Sequence, residues 1–518
     1  MAGLPAPAPA AQPVAPLAAD VTPDTFVAAT VTDLALAPGA ENATWEGSMP
    51  PLTRRAALAA AAVLPALGAL PVQPAVAQPA PFTPPPGEKP LFGAALWHLP
   101  NGLAVVHAEN RRAPVVAQYL YYGAGAGDDP AGKSGLAHFM EHMMFKGSAR
   151  ISSGSFSRRV AMEGGQDNAY TSRDVTAYHQ HVEASRLPLV AMMEADRMAG
   201  PLFPPAELES ERQVVLEERR QRTESTPRGR FREEYDAAFW GRQHWRGRPL
   251  IGWADEIAGL TRDDMLAFFG RFYSPANATL VVAGAVSRDE LAKVVEQEYG
   301  GIASRGAAFT DVSRGRAPAP ATPLEARLVK HDAQVQEAAF LRGWVAPSLI
   351  SGGAESRHAY ALEVLAHLLG GGQGSRLHNA LVRGGLAVSA GCGYDGDSVG
   401  TGNFEIQVTP LRDTAPPRLE AALEATLSTL LDQGVTEEEV ARSIRQLTAG
   451  ALLTLDSLGT APRILGSALA VGLQLDAIEY WPARIRAVTR GQVEAAARAV
   501  LSRPGMTGWL LPEGVGGA

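Results

Sequence analysis

Residues 135–147 read Gly-Leu-Ala-His-Phe-Met-Glu-His-Met-Met-Phe-Lys-Gly, and this stretch contains the strongest structural signal in the chain. The apolar residues around the two histidines and the glutamate predict a helix packed inside the protein, with Ser134 as its N-cap. His138 and His142 are four residues apart, so their rings lie one turn apart on the same helix face. Burying two histidines and Glu141 without partners would be costly. The stretch therefore indicates a functional site rather than a solvated helix face.

A metal ion is the partner that this pattern favours. Two neutral imidazoles at this spacing can bind one Zn²⁺, and a carboxylate on the same turn can reach a water beside the metal. The order His-x-x-Glu-His is the inverse of the more common His-Glu-x-x-His and is typical of the inverzincins. Cys392 is the only cysteine, which excludes an internal disulfide and any cysteine-based metal site. Any metal must therefore be held by histidine and carboxylate.

A catalytic zinc needs a third protein ligand. A helix predicted over residues 205–222 is rich in carboxylates, and Glu211 and Glu218 lie seven residues apart on one face of it. From the residues alone, Glu217 and Glu218 both stay open as the ligand, and a solvated acidic helix face is the alternative. The acidic candidates of this helix are Glu207, Glu209, Glu211, Glu217 and Glu218.

The composition is that of an ordinary soluble globular protein. The chain has 518 residues, a formal net charge of −8 and 46% hydrophobic residues, which is enough for several domains with large cores. The mild acidity predicts neither nucleic acid nor an anionic membrane as a partner. The pattern from about residue 91 is mixed α/β, with strands predicted at 96–99, 103–108, 115–122 and 278–286 and helices at 187–198, 205–222 and 288–299.

The second half of the chain repeats the first. Residues 306–323 are rich in Gly, Pro, Ala and Ser and predict a linker between domains at 90–305 and 324–512. The stretch that begins near Thr261 recurs near Thr489, and residues 137–145 match 361–369 at nearly the same offset. Two weak matches with nearly equal offsets indicate a duplicated domain.

The N-terminal region predicts export. The first 48 residues are rich in Ala and Pro, contain no Lys or Arg, and are predicted to be disordered or to lie outside the native product, with the biological start at Met49. Residues 49–77 then show a basic start, an apolar run and a small-x-small cleavage site before Gln78, which is the pattern of a signal peptide. The apolar run is too short and interrupted for a membrane span, so a periplasmic or secreted mature protein without a span is expected. A disordered linker is the alternative, and Sec or twin-arginine export stays open.

Residues 135–147 together with 211–218, Glu-Arg-Gln-Val-Val-Leu-Glu-Glu, resemble the pitrilysin/insulinase family of zinc peptidases, in particular its short bacterial and mitochondrial-processing-peptidase-like subunits. The separation of Glu218 from His142, and its position seven after Glu211, are those of that family's pattern. The resemblance covers about residues 90–512. It implies that Glu218 is the third ligand and that Glu211 supports the site by hydrogen bonding.

The resemblance also implies a fold and an activity. The fold is of the α+β class, with two homologous α/β domains, each an antiparallel-rich sheet packed with helices, that form half of a clam-like peptidase chamber. The activity is that of a zinc metallo-endopeptidase, with Glu141 taking the proton of the attacking water. Asn168 and Ala169 lie on the strand edge that aligns the peptide substrate by β-addition.

The second half departs from the pattern of an active site. Leu362, Leu365 and Ala366 occupy the positions of the two histidines and the glutamate, so one Zn²⁺ per chain is expected. Active family members also carry an Arg and a Tyr in a stretch that corresponds to residues 381–388. Here Val388 stands at the Tyr position, and the Arg position falls on Val382 or, with a different gap, on Arg383.

The absence of this Arg/Tyr pair at the expected positions predicts a partner subunit. We expect a hetero-oligomer, most simply a heterodimer, with a related subunit that lacks the zinc motif and carries the Arg/Tyr pair. A homodimer is the alternative. Two rival functions remain at this point: a non-catalytic scaffold or processing-complex subunit of the same family, and metal storage.

Overall fold

The computed structural model describes residues 82–305, 316–350 and 353–514. The predicted disorder over 1–48, the predicted signal peptide at 49–77 and most of the predicted linker lie outside these residues. The strands are β1 (Ala95–His98), β2 (Ala104–Glu109), β3 (Val115–Tyr122), β4 (Gln166–Thr171), β5 (Thr176–Glu183), β6 (Ala278–Gly284), β7 (Arg327–Asp332), β8 (Ala339–Ala346), β9 (Ala387–Tyr394), β10 (Gly402–Pro410) and β11 (Met506–Pro512). The helices are α1 (Leu136–Met143), α2 (Ser155–Met162), α3 (Leu187–Ala199), α4 (Pro205–Arg219), α5 (Pro227–Trp240), α6 (Ala254–Ala258), α7 (Arg262–Phe272), α8 (Arg288–Tyr299), α9 (Ala359–Gly370), α10 (Pro416–Gln433), α11 (Glu437–Leu453), α12 (Thr460–Ala470), α13 (Leu475–Glu479), α14 (Trp481–Arg486) and α15 (Arg490–Leu501).

The strands form two sheets, one in each half of the chain. The first sheet has six strands in the order β1-β2-β6-β3-β5-β4, and the second has five in the order β7-β11-β8-β10-β9. Each sheet contains one parallel pair, β2 with β6 and β7 with β11, and its other pairs are antiparallel. The expected α+β fold with two antiparallel-rich sheets is confirmed.

The two halves have the same topology. Strands β2, β6, β3, β5 and β4 correspond in order and direction to β7, β11, β8, β10 and β9. The offset between Thr261 and Thr489 also separates the starts of α7 and α15, at Arg262 and Arg490, and those of β6 and β11, at Ala278 and Met506. Both helices also begin with a capping box whose first residue is threonine.

The halves exchange helices. α12 of the second half packs on β3 and β6 of the first sheet, while α5 of the first half packs on β7 and β11 of the second. The contacts are close, because a methyl group added to Gly466 of α12 would lie 2.0 Å from the ring of Tyr121. Likewise, a methyl group on Gly508 of β11 would lie 2.6 Å from the ring of Tyr235 on α5. Glycine at these points lets helix and sheet approach each other closely.

The helix that carries the predicted metal motif does not begin as predicted. Ser134 does not cap α1, because its hydroxyl oxygen accepts a hydrogen bond from the backbone N–H of Trp253 at 2.9 Å. Gly135 precedes the helix with a φ of 86°, and a side chain there would lie 2.4 Å from the carbonyl oxygen of Ile251. The buried carboxylate of Asp129 accepts from the N–H groups of Gly135 and Ala137 instead, both at 2.8 Å. A residue from an earlier loop therefore stabilises the start of α1.

Helix α1 lies in the core of the first half, in contact with α4, α7 and β4. Its apolar side chains Phe139, Met140 and Met143 are fully buried, and its two histidines face α4. None of the helices in the described ranges combines the length and apolar character that crossing a bilayer requires.

Candidate metal centre

Helices α1 and α4 bring three predicted ligands together. Glu218, in the last turn of α4, directs its Oε2 atom at both histidines of α1. This oxygen lies 3.3 Å from Nε2 of His142 and 3.6 Å from Nε2 of His138. One ligand atom from each residue lies within 4.8 Å of the others, and no other group of three possible ligands occurs among the described residues.

The donor set fits zinc. Two imidazole nitrogens and one carboxylate oxygen are the ligands of a catalytic zinc site with one further position for a small molecule. The ring of His138 is buried, and its Nδ1 atom has no hydrogen-bond partner among the described residues. Burial, together with the neighbouring His142, lowers the pKa of His138 to about 3. The ring is therefore neutral at physiological pH, which is the form that binds a metal.

Glu211 and Lys146 orient the second histidine. Nδ1 of His142 lies 2.8 Å from Oε1 of Glu211, and the ammonium group of Lys146 pairs with the other oxygen of that carboxylate. A carboxylate on Nδ1 fixes the tautomer and the ring orientation, so that Nε2 faces Glu218. Glu211 thus lies beside His142, where it can support the ring, and Lys146 is an additional contact that no sequence pattern indicated.

The charged side chains around His142 shift one another's pKa values. Burial by itself would lower the pKa of His142, but hydrogen bonds to Glu211 and Glu218 outweigh it and raise the pKa to about 9. Burial opposes ionisation of both carboxylates, yet their contacts with the histidines and basic side chains lower the pKa of Glu211 and bring that of Glu218 to about 2. Both carboxylates are therefore ionised near neutral pH and can face a cation.

The structure distinguishes the two neighbouring glutamates of α4. Glu217 points away from the histidines and pairs with Arg220 and Gln221 on the protein surface. Glu218 is the one beside the metal motif. The helix itself is shorter than predicted: α4 ends at Arg219, and residues 220–224 form a wider π-helical turn.

Glu141 lies on the same turn of α1, beside the ligands but not among them. One of its oxygens, Oε2, accepts a hydrogen bond of 2.5 Å from the hydroxyl of Thr171, the last residue of β4. Burial raises the pKa of Glu141. No sequence pattern assigns a role to the Thr171 hydroxyl, because only the folded sheet brings the end of β4 beside α1.

The predicted substrate-binding residues lie on β4. This strand is at the edge of the first sheet, and β5 is its one partner among the described strands. The Asn168 side chain is exposed, and its Oδ1 atom accepts a hydrogen bond from the N–H of Ala169 at 2.8 Å. Ala169 packs against the core, and Thr171, two residues further on, contacts Glu141. The open edge of β4 therefore leads to Glu141.

The described part of the second half has no counterpart of this centre. Leu362 and Leu365 of α9 are fully buried in the apolar core of that half, and Ala366 is nearly so. At the position expected for a substrate-binding tyrosine, Val388 is 59% exposed on the edge strand β9. Arg383 is exposed and donates a hydrogen bond to Asn379 of its own helical turn.

A buried helix with the inverted histidine motif and a third candidate ligand from an adjacent helix is the arrangement of the inverzincin class of metallopeptidases. The chain belongs to peptidase family M16, the insulinase family. The family model described as "Insulinase (Peptidase family M16)" matches residues 104–251, and the one described as "Peptidase M16 inactive domain" matches residues 259–447. The second match begins just before α7 of the first half and continues through most of the second half, which lacks the histidine motif.

Known relatives support this assignment. An uncharacterised zinc protease of Mycobacterium tuberculosis is 31% identical over 417 residues, which cover 78% of this chain and 90% of that protein. The zinc protease PqqE of Helicobacter pylori is 30% identical over 288 residues, 55% of this chain and 62% of that protein. A solved protease from Helicobacter pylori has the same fold, with a TM-score of 0.73 at 24% identity, covering 82% of this chain and all of that one.

Proposed function

We propose that this protein is a zinc-dependent endopeptidase that hydrolyses peptides or unfolded polypeptides. The observation that carries the proposal is the convergence of His138, His142 and Glu218 beside the half-buried carboxylate of Glu141. A metal store would need the three ligands but not a fourth acidic group held beside them. A scaffold would need neither the three ligands nor the acidic group. Catalysis is therefore the function that accounts for all four residues.

His138, His142 and Glu218 would hold the ion. When bound, zinc supplies a Lewis acid that polarises a carbonyl group and lowers the pKa of water toward about 7. Glu141 takes the proton of the attacking water and passes it to the departing amine nitrogen. Thr171 holds one oxygen of Glu141, so the other oxygen is free for this proton. Glu211, supported by Lys146, keeps His142 in the orientation that metal binding requires.

The edge of β4 suits an extended peptide as substrate. A peptide that adds to this edge is held by main-chain hydrogen bonds, which do not depend on its sequence. Asn168 and Ala169 would contact it, and the direction of the strand leads its backbone toward Glu141. A substrate already folded into a sheet or helix has no free main-chain groups for this pairing, so unfolded chains are the preferred substrates.

Export is part of the same proposal. The signal-like stretch at residues 49–77 supports a periplasmic or secreted mature protein that begins near Gln78. A solved structure with the same fold, at a TM-score of 0.66 and 19% identity, is described as the first half of the periplasmic protease PqqL from Escherichia coli. Sequencing the N-terminus of the protein from the periplasm or medium is expected to find Gln78 or a close neighbour; a chain that retains Met1 would contradict export through this signal.

Metal analysis with a peptide assay tests the proposed activity. The purified chain, tested with its partner subunit where one is required, is expected to contain one zinc per chain and to cleave a library of fluorogenic peptides. A chelator should abolish cleavage, and added Zn²⁺ should restore it. Zinc without cleavage under any of these conditions would favour the storage function, and absence of both would favour the scaffold.

A further inference from the structure

The helical turn that follows Glu218 differs from the rest of α4. After Arg219 the helix widens into a π-helical turn over residues 220–224, closed by a hydrogen bond of 2.8 Å from the N–H of Ser225 to the carbonyl of Arg220. Such widened turns are rare and often occur at functional sites. The middle residue of this turn is Arg222.

A buried arginine anchors the turn. Arg219 is almost completely buried, and its guanidinium group contacts Glu233 at 2.8 Å, the carbonyl oxygen of Gly252 at 2.7 Å and Glu224 at 3.1 Å. The contacts with Glu233 and Gly252 are charge-assisted hydrogen bonds, which are strong and directional, and the contact with Glu224 is an ion pair. Arg219 directly precedes the widened turn, and Glu224 is the last residue of the turn. The contacts of Arg219 therefore hold both ends of the turn and the backbone of Arg222 between them.

Arg222 and the histidines contact different oxygens of the same carboxylate. Nη1 of Arg222 lies 2.9 Å from Oε1 of Glu218. The other oxygen, Oε2, faces Nε2 of His138 at 3.6 Å and Nε2 of His142 at 3.3 Å. One oxygen of the Glu218 carboxylate therefore pairs with Arg222, and the other oxygen faces the candidate metal position.

We propose that Arg222 is a positioning residue that makes Glu218 a ligand through one oxygen only. The inference rests on the proposed zinc site. Carboxylates bind metal ions through one oxygen or through both. With Oε1 held by Arg222, the protein offers three donor atoms, two nitrogens and Oε2, and one position of a tetrahedral ion stays available for substrate chemistry. Without Arg222, Oε1 could bind the metal as well, which would raise the coordination number from four to five and crowd the position used for substrate chemistry.

The exposure of Arg222 makes this role testable without loss of the fold. Its side chain is 74% exposed, and ion pairs with an exposed partner add little to stability. Replacing it should therefore change the coordination of the ion rather than the folding of the chain. Arg220 is a matched control, because it lies on the same turn, is also largely exposed and pairs with Glu217 rather than with Glu218.

The test is to load the full chain with Co²⁺ in place of zinc and to compare the visible absorption spectra of wild type, Arg222→Gln and Arg220→Gln. We expect the intense bands of a four-coordinate ion in wild type and Arg220→Gln, and the weaker bands of a five-coordinate ion in Arg222→Gln. With zinc, kcat of Arg222→Gln should fall by about 10–100-fold, the usual effect of losing a group that orients a ligand. Arg222→Lys, which keeps the charge on a flexible chain, should recover part of both the spectrum and kcat.

The possible failures can be told apart. A four-coordinate spectrum in Arg222→Gln would overturn the inference, even if kcat fell, because Arg222 would then act in another way. Equal spectral changes in Arg220→Gln would also overturn it, since they would reflect the charge of the turn and not the contact with Glu218. A wild-type chain that binds neither Co²⁺ nor Zn²⁺ would overturn the proposed zinc site itself, and the inference with it.

Discussion

Replacing Glu141 with Gln is expected to lower kcat by about 10²–10⁴-fold, the contribution typical of a general base. The side chain keeps its size, and its amide oxygen can still accept the hydrogen bond from Thr171. It can no longer take a proton from water. Because Glu141 is not among the three converging ligands, the variant should still contain one zinc per chain.

The measurements are kcat on a fluorogenic peptide and zinc content by elemental analysis. Glu217→Gln is the matched control, since it makes the same chemical change one residue from Glu218 but on the solvent-facing side of α4. The control should keep its zinc and its activity. Full activity in Glu141→Gln would remove this residue from the mechanism, whereas loss of zinc would show that Glu141 binds the metal after all.

A related subunit is expected to raise the cleavage rate of this chain by about 10²–10³-fold, the usual contribution of a group that stabilises a developing oxyanion. The second half of this chain does not provide such a group at the expected position. Val388 has no hydroxyl, and Arg383 is bonded to Asn379 on the surface of its own half. A subunit that lacks the histidine motif but carries the Arg/Tyr pair could supply the missing donors across a shared cleft.

The experiment compares this chain alone, the partner alone and an equimolar mixture in one peptide assay. In the partner, replacing the tyrosine with Phe removes only the hydroxyl group and is expected to cancel most of the gain. If the single chain is already as fast as the mixture, the division of labour is wrong, and a homodimer becomes the simpler assembly. Sedimentation of the active species distinguishes a mixed dimer from a pair of identical chains.

Local patterns predicted several helices and strands and the spacing of the two histidines. The bounds of β3 and α8 agree with the prediction, because a short run rich in Val and Tyr and an N-terminal capping box are both encoded within a few residues. The spacing of His138 and His142 needs only the helix period to place both rings on one face. Glu218, by contrast, lies far along the chain from both histidines, and only the family resemblance selected it over Glu217.

The features that were missed depend on contacts between distant segments. Ser134 has the right chemistry for an N-cap, but its hydroxyl bonds to Trp253, Gly135 precedes the helix with a positive φ, and Asp129 accepts from the first N–H groups instead. The widened turn after Arg219 is held by Glu233 and Gly252, which no local pattern connects to α4. In both cases tertiary contacts override a local preference that the sequence shows correctly.

The exchange of α5 and α12 bears on how this chain arose. The two helices hold equivalent places in the repeat, each following a long helix, α4 or α11, and preceding a matching helix and strand, α7 and β6 or α15 and β11. A single ancestral half would have left one apolar sheet face in water, and two identical copies could have covered both faces by swapping that helix. Duplication of the gene and fusion of its two copies would join the two halves of such a symmetric dimer, with their exchanged helices, in one chain. Leucine at position 362, in a helix that packs on α11, α15 and β9 as α1 packs on α4, α7 and β4, fits a second copy that lacks the histidine motif.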